Sequence, residues 1–110
     1  MLNCHTAYTI NICRSRSMIN RKAKGNRNEY RTMDYLKEKG YKVTRAAASL
    51  GEWDVIAISA TDVQLVQVKS NRWPRSDEMK KLNAFPCPKY VRRVLHRWDD
   101  WVSEPKIRIL

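Results

Sequence analysis

Glycine and proline are scarce in this 110-residue chain, at three and four residues. That scarcity excludes a collagen-like or flexible low-complexity polypeptide. No apolar run approaches the length needed to cross a bilayer, and the first twenty residues lack the apolar core of a secretory signal. Cysteine is sparse and irregularly spaced, as Cys4, Cys13 and Cys87. An odd number without a Cys-x-x-Cys pair argues against a disulfide framework and for reduced thiols. Cys4, His5 and Cys13 therefore make a poor zinc site, because the paired spacing is missing. These absences imply a soluble cytoplasmic protein with no membrane partner and no small-molecule cofactor.

Acidic residues are also short: 11 against 22 Lys and Arg, a formal net charge of +11. An imbalance of that size attracts polyanions through counterion release, and nucleic acid is the leading partner. Arg14, Arg16, Arg21, Lys22, Lys24 and Arg27 all precede the first acid, Glu29, leaving a net of +5 in the remainder. A basic arm thus leads the domain. Hydrophobic residues at 43% and charged residues at 30% are globular proportions, and the length suits one core.

Residues 1–17 are read as an N-terminal extension and 18–110 as the folded domain. A leader from an upstream start codon and a short strand, "TAYTINI", are both open for the extension. From about Arg21 to Lys39 the pattern predicts a helix stopped by Gly40, with Glu29, Met33 and Leu36 sharing a face. Strands are expected at 41–46, 53–59 and 63–70, the last two forming a hairpin around Ala60-Thr61-Asp62. Apolar residues on both faces of those two strands place the hairpin centrally, covered on both sides. Ser76 is read as the N-cap of a second helix carrying Met79, Leu82 and Phe85. Two further strands follow within "KYVRRVLHRW" and "KIRIL". The expectation is an α/β fold, a mixed central sheet flanked by helices in the order α-β-β-β-α-β-β.

Alternation along a strand puts Gln67 and Lys69 on one face. Asp54 opens the partner strand at nearly the same level, and the helix position of Glu29 brings it over the same sheet end. Two carboxylates at about 4 Å repel by roughly 1–4 kcal/mol, so their convergence calls for a cation. Oxygen donors suit Mg2+, with Mn2+ substituting. Each residue also has a plainer reading as an exposed helix acid, a strand-start cap and a solvated edge lysine.

The segment from Arg21 to Ser70, "KGNRNEY…KGYKVTRAAASLGEWDVIAI…LVQVKS", resembles the PD-(D/E)xK nuclease core. More narrowly, it is similar to the archaeal-type Holliday junction resolvases and their phage and bacterial relatives. The resemblance implies a restriction-endonuclease-like fold with a catalytic set of Glu29, Asp54, Gln67 and Lys69. The first three would be the metal ligands, and Ser49 in "AAAS" matches a contributing loop serine. It further implies a homodimer making paired nicks at four-way DNA junctions with Mg2+, working in a host cytoplasm if the chain is phage-encoded. Gln67 departs from the pattern, which has an acid there; its amide oxygen is a ligand without the charge.

The expected function is a structure-specific DNA endonuclease. A nuclease acting on flaps or nicks and a non-catalytic DNA-binding protein on the same scaffold are the alternatives. Expected DNA contacts are Arg21, Lys22, Lys24, Arg27, Arg45, Arg72, Trp73 and Arg75, with core packing still open for Trp73. Arg92, Arg93, Arg97, Trp98 and Trp101 are assigned to the sheet edge or a dimer interface, and His96 to a structural role.

Overall fold

The computed structural model describes residues 17–47 and 49–110, with side chains from Gly25 onward. The readings placed on residues 1–16, including the "TAYTINI" strand and the Cys4, His5 and Cys13 grouping, lie outside the described residues.

Helix α1 spans Ser17–Glu38, starting four residues earlier than the sequence pattern suggests. It ends where expected: Gly40 has a φ of 98°, and the Tyr41 N–H reaches the Leu36 carbonyl at 3.1 Å. Glycine takes that left-handed geometry without the clash a Cβ brings. The strands are β1 (Lys42–Arg45), β2 (Val55–Ile58), β3 (Val63–Ser70), β4 (Val91–Trp98) and β5 (Lys106–Ile109), with α2 (Ser76–Ala84) between β3 and β4. They form one mixed sheet in the order β1-β2-β3-β4-β5. Only β3 and β4 run parallel, and α2 supplies their crossover.

This is the predicted element order and a restriction-endonuclease-like α/β architecture. Strand β3 sits at the centre and is packed on both faces. On one face Leu36 of α1 meets Val55, Ala57, Val66 and Val94. On the other, Leu82 of α2 meets Trp53, Leu65 and Leu95. Period-2 alternation divides β3 between these two cores, sending Val66 to α1 and Leu65 to α2.

Two sequence expectations need adjusting. The buried stripe of α1 is partly polar: Asn28, Thr32 and Leu36 are all buried, at i, i+4 and i+8. Thr32 accepts a hydrogen bond from the Trp98 indole at 2.7 Å and lies 3.2 Å from His96 Nδ1. His96 is buried, and burial holds its pKa down at about 4. The structural role expected for it is what the fold provides. The second adjustment is the cap of α2. Arg75, not Ser76, precedes the first helical turn, so Glu78 becomes the third helical residue and accepts the Arg75 N–H at 3.2 Å.

Candidate active site

One end of the sheet gathers the residues singled out above. The antiparallel register of β2 and β3 pairs Val55 with Val66. One step further, Asp54 stands opposite Gln67. The Asp54 amide reaches the Val66 carbonyl at 2.9 Å, and its carboxylate accepts the Val68 N–H at 2.8 Å. Burial pushes the Asp54 pKa up to about 6. The Val68 bond opposes that rise, the negative charge of Glu29 adds to it, and Lys69 and Arg45 counter it. Glu29, Lys69 and Arg45 are therefore all within electrostatic reach of Asp54.

Gln67 is 5% exposed, and its Oε1 has no hydrogen-bond donor. An unsatisfied buried acceptor costs about 1–3 kcal/mol, so folds rarely keep one without use. Glu29 accepts from Arg45 Nε at 2.9 Å. The Arg45 guanidinium also lies over the Tyr30 ring, 5.3 Å from its centroid. Lys69 pairs with Glu78 of α2 at 3.2 Å. Glu78 is thus a site neighbour that sequence reasoning missed. Its signal was the capping pattern, read one residue too late. With two N–H donors on it, first the Arg75 amide and then the Lys69 ammonium, its carboxyl stays below the usual range.

Among the described residues, no three His, Cys, Asp or Glu side chains gather into a metal cluster. What the site offers is a desolvated carboxylate at Asp54, an unpartnered amide oxygen at Gln67 and the carboxylate of Glu29. All are hard oxygen donors, which suits Mg2+ or Mn2+ rather than a thiophilic ion. A divalent cation would both satisfy Gln67 Oε1 and lower the cost of ionising Asp54, so the residues fit the group.

The other expected positions divide. Ser49 is exposed and its hydroxyl donates to the Ala46 carbonyl within its own loop. Arg27, Arg72 and Arg75 are exposed. Arg21, Lys22 and Lys24 lie in the first turns of α1. Trp73 is half-buried against the α2-side core, with the Arg97 and Arg108 guanidiniums 5.1 and 4.4 Å from its ring centroid. Of the two tryptophans assigned to the sheet edge or a dimer interface, Trp98 is buried and Trp101 is wholly exposed.

Residues 20–83, more than half of the chain, match the model of the archaeal Holliday junction resolvase (Hjc) family. The chain belongs to this family. The match takes in most of α1, all of β1, β2 and β3 and most of α2, and so contains every candidate catalytic position. The fold is also similar to that of Archaeoglobus fulgidus Hjc, a Holliday junction resolvase from an archaeal hyperthermophile. The TM-score is 0.61 at 19% identity, over 79% of this chain and 71% of that one. That similarity covers a larger share of the chain than the family match does. No curated protein sequence matches the chain.

Proposed function

We propose that this Hjc-family protein resolves Holliday junctions by making paired nicks with Mg2+, Mn2+ being able to replace it. The observation that carries the metal assignment is the buried, unpartnered Oε1 of Gln67, which stands across the β2–β3 register from Asp54 with its desolvated carboxylate. Asp54, Gln67 and Glu29 are the residues to hold the ion. When bound, a divalent ion supplies Lewis-acid polarisation of a phosphodiester and a more acidic water.

The chain's own residues do the remainder. Lys69, held at its ammonium by Glu78, places a fixed positive charge where negative charge grows on the phosphoryl oxygens. Arg45 holds Glu29 in place, and its partly exposed guanidinium is presented for a backbone phosphate. Ser49 offers a hydroxyl from the β1–β2 loop. Arg21, Lys22, Lys24, Arg27, Arg72 and Arg75 supply sequence-independent phosphate affinity. Trp73, half-buried with the Arg97 and Arg108 guanidiniums close to its ring, joins this surface. A symmetric four-way junction needs two cuts, so the active species is a homodimer.

The test is a panel of labelled four-way junction, flap, duplex and single-stranded DNAs incubated with protein and Mg2+, with sedimentation to count protomers. Paired nicks confined to the junction are expected. Cleavage of flaps alone would move the substrate, and junction binding without cleavage at any Mg2+ or Mn2+ concentration would leave a DNA-binding module. No helix among the described residues is long and apolar enough to cross a membrane.

A further inference from the structure

The loop after β4 presents a tryptophan to solvent beside the candidate active site. Trp101 is 101% exposed, and its φ of 68° lies in the left-handed region that side-chain-bearing residues seldom adopt. The loop around it is nonetheless tied down on both sides. The Asp100 N–H donates to Asn71 Oδ1 at 3.0 Å, and the Val102 carbonyl accepts from Arg31 at 2.6 Å. Asp99 is gripped by Arg97 at 2.8 and 3.0 Å and by Lys106 at 3.4 Å. A large apolar ring is therefore held outward on an ordered support. That costs side-chain hydration and backbone strain without any return from packing.

Its location indicates what the ring meets. Asn71 lies two residues past Lys69, and its N–H bonds the Trp98 carbonyl at 3.1 Å. The Trp101 loop is thus pinned to the segment that carries the catalytic lysine. Trp101 also borders a cleft of about 280 Å3 shared with Arg27, Asn28, Arg31, Asp99, Asp100 and Val102. Two arginines one helical turn apart face that cleft, and the Arg31 guanidinium lies 4.3 Å from the Trp98 ring centroid. Besides Trp101 and Val102 the lining side chains are polar or charged, with Asp99 held by Arg97 and Lys106. Cationic side chains flanking one exposed aromatic is the arrangement that grips a nucleic-acid backbone and stacks a base. Strand β4 and this loop lie beyond the residues matched to the Hjc family.

We propose that Trp101 is a base-stacking residue: it receives a nucleobase exposed at the branch point of the DNA, with Arg27 and Arg31 holding the adjoining phosphates. The proposal rests on the resolvase reading for its substrate. It adds a specificity element, since a continuous duplex presents no free base face to such a ring.

The test compares wild type with Trp101→Ala, Trp101→Tyr and Arg27→Ala. Binding is measured in EDTA, so that DNA stays intact, to a four-way junction, a duplex with a three-base bubble, and an unbroken duplex. Trp101→Ala should weaken junction and bubble binding by roughly 5- to 150-fold, the span of one base stacked on an aromatic ring, while duplex binding changes less than about twofold. Trp101→Tyr should recover most of the loss. Arg27→Ala should weaken all three DNAs by similar factors. With 2-aminopurine at the branch point, wild type should quench its emission and Trp101→Ala should not.

Unchanged junction and bubble affinity, or an equal loss on the unbroken duplex, overturns the proposal. So does a change in protomer count on sedimentation of Trp101→Ala, which would make the ring a protein contact. A wild-type protein that does not prefer the junction over the unbroken duplex defeats the resolvase reading instead, and the bubble arm then still decides the stacking role.

Discussion

Asp62 and Gln64 near the start of β3, and Asp54 and Gln67 near its end, pair a carboxylate with an amide in opposite circumstances. At the first end the carboxylate and the amide bond each other and their neighbours. Asp62 accepts from Arg92 at 2.6 and 3.1 Å, from the Tyr41 hydroxyl and from Gln64 at 3.0 Å. The Arg92 guanidinium, followed by the Tyr41 and Gln64 donors, holds the Asp62 carboxyl far below the usual range. At the other end Asp54 is left with a raised pKa of about 6 and Gln67 Oε1 with no donor. The chemistry is alike; only the completeness of the hydrogen bonding differs. A finished network stabilises the fold, and an unfinished one in the same sheet is where a ligand belongs.

Cleavage breaks this comparison most sharply. Asp54→Ala and Lys69→Ala should each lower the rate of junction cleavage by at least about 10^2- to 10^3-fold while leaving junction binding largely intact. Asp62→Ala should cleave normally at a temperature where it is folded. Gel assays at saturating protein measure the first, and filter binding the second. Near wild-type cutting by Lys69→Ala would remove the lysine from the mechanism.

Stability in the absence of metal should show opposite pH signs at the two ends. The Asp62 carboxyl is depressed on folding, so its contribution is present above the unfolded carboxylate range and is lost as pH falls through the folded value. Asp62→Ala should cost roughly 1–3 kcal/mol at pH 7 and less in strong acid. The Asp54 carboxyl is raised, so the fold is favoured below the unfolded pKa near 4 and loses that advantage as pH rises through about 6. Asp54→Asn should therefore be more stable than wild type by roughly 1–3 kcal/mol at pH 8, with the difference gone at pH 4. Urea titrations in EDTA at both pH values make the measurement. By the same linkage, cleavage at limiting Mg2+ should rise as pH passes about 6.

The two glutamines sharpen the contrast at smaller scale. Gln67→Glu should lower the Mg2+ concentration for half-maximal cleavage several-fold, because a third carboxylate strengthens the cation's hold. Gln67→Ala should raise it. Gln64→Ala should leave the Mg2+ titration unmoved while costing about 1 kcal/mol of stability. Identical titrations for all of these proteins would show that residue 67 does not touch the ion. Activity in Gln67→Glu alone would mean that the natural glutamine disarms the site.

The smallest effect concerns the exposed charge at either end. Arg72→Ala, beside the site, should reduce the slope of log affinity against log salt by about one. Lys89→Ala, before β4 at the far end, should leave that slope unchanged. Equal slopes for the two variants would mean that DNA covers both ends of the sheet.

Much of this was legible in the sequence. β3 occupies the predicted residues, 63–70, because eight residues with apolar positions on both faces suit only a covered central strand. Asp54, Gln67 and Lys69 followed from strand alternation and hairpin register, and both are local rules. Glu78 was missed because its role depends on where α2 begins, which an arginine at the cap position disguised. Asn28 and Thr32 were missed because polar residues on a helix read as exposed. Their partners Ser70, His96 and Trp98 lie more than forty residues further on.

The sequence by itself determined the order of elements, the central hairpin, the polyanion-seeking charge and the placing of Asp54, Gln67 and Lys69 toward one end of the sheet. Each of these rests on periodicity, turn geometry or net charge, which neighbouring residues express together. Only the tertiary structure decided which polar groups found partners. It paired Glu29 with Arg45 and Lys69 with Glu78, left Gln67 Oε1 without a donor, buried Trp98 and turned Trp101 outward. Hydrogen-bond satisfaction and burial are properties of the packed whole: they depend on groups brought together across the chain at atomic distances, and local periodicity carries no record of them.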